Sequence, residues 1–178
     1  MQLTIAPFEG VDGPELYQLA DDLTQHHYKI RISKPLTIPS YAYNPERDQY
    51  MADKLFRPLR QFEQHGERVL GVINQDLYQY ILKCVYGLAD LPGYVAMMSL
   101  YRLRQTRHEH TLRQRMLKLA LHELGHTHGL EHCKQLSCVM CFSPNLQRLD
   151  LSGTQFCSHC QEQLEHHLEA EIPCKNSC

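Results

Sequence analysis

His122-Glu123-Leu124-Gly125-His126-Thr127-His128-Gly129-Leu130-Glu131-His132-Cys133 is the stretch around which this 178-residue chain is organised. Residues four apart share one face of an α-helix, so His122 and His126 can aim two imidazoles at one metal ion. Glu123 sits one residue round from the first. A carboxylate there can reach a water on the ion without becoming a ligand, which is the placement of a general base. Gly129 can take a positive φ, end the helix and turn the chain back. The turn can bring His132 round as a third ligand. Three protein ligands leave the fourth position of a tetrahedral zinc open, and that opening separates a catalytic zinc from a structural one.

The composition bounds what surrounds this stretch. The length implies one domain with a substantial core, and a monomer is expected. A net charge of −2 argues against a nucleic-acid binder that gains affinity by neutralising phosphates. Arg102, Arg104, Arg107, Arg113 and Arg115 cluster just upstream of the motif and read as a solvated or salt-bridged face. No apolar run approaches a transmembrane helix, and the first ten residues lack a basic segment followed by a long apolar core. The expected location is therefore cytoplasmic, without a membrane partner. Eight cysteines in a reducing compartment are expected to be metal ligands or free thiols rather than disulfides.

Periodicity predicts the elements. Gln2–Ile5 alternates as a strand, and Asp12-Gly-Pro-Glu opens a helix with Leu16, Leu19, Ala20 and Leu23 on one face. Tyr28–Ile32 reads as a strand and Ser33–Asn44, with Pro35 and Pro39, as a surface loop. A second helix is expected over 46–64 with a break at Pro58. Arg68–Ile73 is a buried strand candidate, followed by a polar turn at Asn74-Gln75-Asp76. Ile81–Ala89 and Tyr94–Arg102 read as strands of an antiparallel hairpin around Asp90-Leu-Pro-Gly93. Thr111–Thr127 is the metal-site helix, with Leu112, Met116 and Ala120 towards the core. Leu136–Asp150 reads as irregular, Ser158–Glu169 as a helix, and Ile172–Cys178 is unassigned. The alternation predicts an α/β layer arrangement with a mixed sheet and an antiparallel strand near one edge.

Five cysteines follow the motif: Cys133, Cys138, Cys141, Cys157 and Cys160. A two-residue gap lets two thiolates reach one tetrahedral ion. Spacing selects Cys138, Cys141, Cys157 and Cys160, and the other possible set replaces Cys141 by Cys133. Either set closes the coordination sphere, as in a structural site.

Residues 122–160 resemble the archaemetzincins, metzincin-clan zinc peptidases with the motif HExxHxxGxxHC-x4-C-x-M and a later CxxC. The matching positions are His122, Glu123, His126, Gly129, His132, Cys133, Cys138, Met140, Cys157 and Cys160. The resemblance implies a metzincin-like mixed twisted sheet (α/β, α+β) with one antiparallel edge strand, a backing helix, an active-site helix and a zinc-stapled C-terminal segment. It implies one catalytic domain over 1–178, in which 1–129 carry the sheet and active-site helix and 130–178 the Met-turn and the four-cysteine site. Two zinc ions are implied, one catalytic on His122, His126 and His132, one structural on Cys133, Cys138, Cys157 and Cys160, with Cys141 left over. Met140 would be the methionine beneath the histidines. Tyr86-Gly87-Leu88-Ala89 would be the edge strand, with Gly87, Leu88 and Ala89 pairing a bound peptide.

The implied activity is hydrolysis of a peptide bond in a peptide or protein substrate, with Glu123 as general base to a zinc-activated water. Phe142 stands where some related metzincins carry a zinc-binding tyrosine, so no tyrosine switch is expected. Two rival readings are a non-catalytic, zinc-stabilised peptide-binding or scaffold protein, and a zinc hydrolase of a non-peptide amide. The intact Glu123 argues against the first. His128 is expected on the exposed side of the turn and His159 as a bystander. His108, His110, His166 and His167 read as surface residues and Cys84 as core. Cys174 and Cys178 receive no role.

Overall fold

A computed structural model of the chain describes residues 1–11, 13–63, 67–105 and 108–171. Arg107, Cys174 and Cys178 lie outside the described residues. The larger sheet is built from β1 (Gln2–Pro7), β2 (Lys29–Ile32), β5 (Arg68–Ile73), β8 (Gly87–Ala89) and β9 (Val95–Ser99), in the order β2-β1-β5-β9-β8. β1 pairs parallel with β2 and β5, and β5 pairs parallel with β9. Only β8 runs antiparallel, as the edge strand beside β9. This is the mixed sheet with an antiparallel edge that the sequence predicts.

Strand pleating sorts the side chains into two layers. Leu3, Ile5, Leu70, Val72, Ala96 and Met98 face α1 (Gly13–Gln25) and the long α3 (Glu109–Thr127). Their sequence neighbours Ala6, Val69, Ile73, Val95 and Met97 face α2 (Ala52–Leu59) on the other side. Because both faces are covered, β5 and β9 are buried at every position, and their sequences read as continuous apolar runs instead of alternating. Leu19, Leu23 and Leu124 are sealed from solvent in the first layer. Burial of each such side chain contributes roughly 1.5–3 kcal/mol.

A second, smaller sheet, not expected from the sequence, has the order β3-β4-β6-β7. Its strands are β3 (Tyr43–Asn44), β4 (Gln49–Met51), β6 (Leu77–Gln79) and β7 (Leu82–Val85). It corrects the readings of 46–64 and of 81–89. The helix expected from Glu46 starts only at Ala52, because Tyr50 and Met51 pair with Leu77 and Tyr78 instead. Pro58 falls in the last turn of α2, which tightens into a 3-10 turn over Arg60–Phe62. The strand expected over Ile81–Ala89 is two strands in two sheets, parted at a bend at Tyr86. The stretch expected to be irregular contains the start of α4 (Leu146–Leu151), capped by Asn145, whose side chain accepts the Arg148 N–H at 2.9 Å. The last helix is α5 (Ser158–Glu171).

The arginine cluster is salt-bridged, as expected of it. Arg113 bonds Asp22 of α1, Arg115 bonds Asp150, and Arg104 pairs with Glu15. Arg102 donates through Nε and Nη2 to Asp76 at 2.6 and 2.7 Å, and Asp76 also accepts from Gln49 at 2.9 Å. The polar turn read at 74–76 thus clips the small sheet to the segment leaving β9. Burial pushes the Asp76 carboxyl up, but the bonds from Arg102 and Gln49 outweigh it and hold the group below its ordinary value. Its stabilising effect is therefore complete above the ordinary value of 3.8 and lost as pH falls through the lowered folded value. Asp76→Ala should cost roughly 2–3 kcal/mol in urea denaturation at pH 7, because Arg102 loses its partner. The gap to the parent should narrow only in strong acid.

Candidate functional site

α3 lies across the first layer with its C-terminal half beneath β8, and this places His122, Glu123 and His126 in one cleft. The helix ends where Gly129 takes φ +87°, and the chain returns so that His132 joins the other two imidazoles. One nitrogen from each of His122, His126 and His132 lies within 4.8 Å of the others. His122 and His126 meet edge to face, and His132 stacks on His122 with ring centroids 5.3 Å apart.

The hydrogen bonds fix what these rings present. His122 Nδ1 lies 2.9 Å from the Val139 carbonyl and His126 Nδ1 lies 2.7 Å from the Leu130 carbonyl. A carbonyl only accepts, so each Nδ1 carries the proton. Burial pushes His122 down to about 4 and also lowers His126, so both rings are neutral and each Nε2 is a bare lone pair. Those two Nε2 atoms stand 3.1 Å apart. Two facing lone pairs repel unless a cation lies between them, and nitrogens on one tetrahedral zinc sit about 3.3 Å apart. The donor set therefore fits zinc.

Met140 is fully buried against α3 at Gly125, where an added Cβ would collide with its sulfur. Only a residue without a side chain lets that segment approach the helix so closely. Glu123 is 6% exposed, and burial alone pushes its carboxyl up to about 8. A dication in the adjoining histidine site acts in the opposite sense and favours the carboxylate.

The cleft has a volume of about 640 Å³, with β8 along one side and Phe142, Ser143 and Pro144 along the other. The β8–β9 ladder includes Ser99 N–H to Tyr86 O at 2.8 Å and Asp90 N–H to Val95 O at 2.9 Å. Tyr86, Leu88 and Asp90 thus bond inward, and the strand alternation leaves the N–H and C=O of Gly87 and Ala89 pointing off the free edge. Phe142 is 57% exposed and its ring tilts against His132.

Four thiols form the second cluster: Cys133, Cys138, Cys157 and Cys160 each place a sulfur within 4.8 Å of the rest. Cys133 Sγ and Cys157 Sγ are 3.8 Å apart, too far for a disulfide and the separation two thiolates have on one tetrahedral zinc, about 3.8 Å. Burial pushes the Cys138 and Cys160 thiols up, whereas the Cys160 backbone N–H draws Cys157 down to about 7. Cys141 is outside this group and its sulfur receives the Arg148 guanidinium at 3.4 Å.

Three further expectations are corrected. His128 is 2% exposed and buried, not on the outer side of the turn; among the described residues neither ring nitrogen has a hydrogen-bond partner. Burial, with Arg68 next in effect, pushes it down to about 3. His167 is half-buried and its Nδ1 donates to the His128 carbonyl at 2.6 Å. Cys84 is half-exposed in β7 and lines the cleft, because the small sheet turns that strand out of the core. His108, His110 and His166 are exposed, as expected, and His159 is exposed as well.

The family model of peptidase family M54 matches residues 26–166. The archaemetzincin of Methanopyrus kandleri is 37% identical over 174 residues, covering 95% of this chain and 98% of its own. The crystal structure of that organism's archaemetzincin superposes with a TM-score of 0.88 at 35% identity, covering 95% of this chain and 96% of that one. The crystal structure of the Archaeoglobus fulgidus archaemetzincin, complexed with malonate, gives a TM-score of 0.82 at 31% identity over 92% of this chain and 99% of that one.

Serine substitution tests the thiol assignment. Cys133→Ser should lower the zinc content by about one ion per chain, measured by elemental analysis, and Cys141→Ser should leave it unchanged. The reverse pattern would move the fourth ligand to Cys141.

Proposed function

We propose that this chain, which belongs to peptidase family M54 and is a zinc metallopeptidase, hydrolyses a backbone amide of an extended peptide with Glu123 as its general base. His122, His126 and His132 would hold the catalytic zinc, and Cys133, Cys138, Cys157 and Cys160 a second, structural one. The observation that carries this reading is the pair of bare Nε2 lone pairs 3.1 Å apart, opening on a cleft that also holds the buried Glu123 carboxylate. Bound there, zinc supplies Lewis acidity to a water and to the carbonyl of the scissile amide.

The chain's own residues do the rest. Glu123 takes a proton from the attacking water and returns it to the leaving amine. Gly87 and Ala89 offer two N–H and two C=O groups at the free edge of β8, which is how an extended peptide is held by strand addition. The pleat would then divide its side chains. Alternate ones enter the metal cleft, and those between reach a groove of about 620 Å³ on the opposite face of the strand, bordered by Phe56, Arg57 and Gln79. Met140 would act as the floor under the histidines, and Phe142 offers no donor to the reaction.

We take residues 1–178 as one catalytic domain. A reducing compartment such as the cytoplasm suits a site of four thiolates. Among the described residues no helix is long and apolar enough to cross a membrane.

Zinc content and cleavage of a mixed peptide library should be compared between the parent and Glu123→Ala. Two zincs in both, with cleavage reduced by about 10²–10⁴-fold in the variant, is the expected result. Equal cleavage would remove Glu123 from the chemistry. In the presence of peptide, amides at Gly87 and Ala89 should also gain protection from hydrogen exchange. Chelating the histidine site should abolish turnover with little unfolding; stripping the thiol site should loosen the C-terminal segment, seen as faster exchange there.

A further inference from the structure

Gly87 is a glycine that its backbone does not require. It sits in β8 opposite Met98 in regular antiparallel register, and it is not among the positive-φ glycines, Gly10 and Gly129. Glycine weakens a strand interior through lost entropy and missing packing, so its presence there calls for a spatial reason. The reason is one side chain. A Cβ at Gly87 would lie 2.5 Å from Glu123 Oε1, 2.7 Å from its Cδ and 2.8 Å from its Cγ.

We infer that Gly87 is a positioning residue for Glu123: the bare Cα of the edge strand is the wall against which the carboxylate rests. This rests on the reading of Glu123 as the general base. Among the described residues no hydrogen bond to the Glu123 carboxylate fixes its direction, so packing must. Ordinary contacts begin near 3.4 Å, so a methyl at Gly87 would drive Oε1 back by about 0.9 Å. A misplacement of about 1 Å at a reacting group can cost about 10²-fold in rate. The same residue directs its N–H and C=O off the free edge. One position thus sets the base and offers a substrate contact, and an alanine there alters the first while keeping the second.

The test uses zinc-loaded full chain and a fluorogenic peptide carrying the cleavage sequence that the library selects. Gly87→Ala should lower kcat about 10²-fold with KM within about twofold and an unchanged zinc content. Glu123→Asp retracts the carboxylate by about 1.5 Å, one carbon–carbon bond. It should cost at least about tenfold less in the Gly87→Ala background than in the parent, because the shorter side chain clears the new methyl. Parental kcat in Gly87→Ala, or two losses that simply multiply, would overturn the inference. A crystal structure of Gly87→Ala should show the carboxylate displaced, and a carboxylate in its original place would count equally against it.

Should Gly87→Ala melt too low to assay, Gly87→Ala/Glu123→Ala must recover the melting temperature of Glu123→Ala alone; failure to recover would also overturn it. If Glu123→Ala itself keeps parental activity, the base reading has failed. If Glu123→Ala is inactive and Gly87→Ala is not impaired, only the role of Gly87 has.

Discussion

The structure depends on two hydrogen bonds that leave two lone pairs with nowhere to go. By giving their Nδ1 protons to the Val139 and Leu130 carbonyls, His122 and His126 are committed to aiming bare Nε2 atoms at one point 3.1 Å apart. Each carbonyl belongs to a segment that must be brought to the helix. Leu130 arrives because Gly129 ends α3 in the left-handed region and Leu130 N–H bonds back to the Gly125 carbonyl at 3.1 Å. Val139 arrives because Met140, its neighbour, packs into the gap left by Gly125. A small residue between the two histidines and a glycine after them are thus conditions for the site, not ornaments of the motif.

Around this centre the fold is locked by charges placed where helices leave the sheet. Arg113 ties α3 to α1 through Asp22, and Arg115 ties it to the end of α4 through Asp150. Arg115 is 7% exposed, so removing its partner would strand a guanidinium out of water; such pairs hold geometry more than they add stability. They hold α3 at both flanks while its C-terminal half faces the cleft.

What was legible in the sequence was local. The spacing of His122, Glu123, His126 and Gly129 follows from helix geometry within two turns, and β5 and β9 announced themselves as apolar runs. Met140 had no signal beyond the family resemblance, since a buried methionine is ordinary core. What stayed hidden depends on partners distant in sequence. β4 and β6 have three residues each and pair across more than twenty residues, too short for any period to show. Tyr50 and Met51 fit a helical stripe equally well, and tertiary pairing decided otherwise. His128 is sealed in part by His167 of α5, which no pattern around position 128 could reveal. Gly87 meets Glu123 across a similar gap, so the strand could be recognised while the reason for its glycine could not.

The two proposed metal sites are joined at consecutive residues, His132 and Cys133. The thiol cluster gathers Cys133 and Cys138 from the returning chain and Cys157 and Cys160 from the start of α5. Cys133 N–H bonds the Met140 carbonyl at 2.9 Å, so the segment bearing His132 is fastened to the one that carries Val139 and Met140. His132 is the exposed member of the histidine set, and among the described residues it has no carbonyl partner of the kind that orients the other two. Its position therefore comes from the backbone, which the proposed thiolate site would pin. Closed by an ion, that site would take no part in chemistry and would have a mechanical function: it would hold the third imidazole where the other two already point.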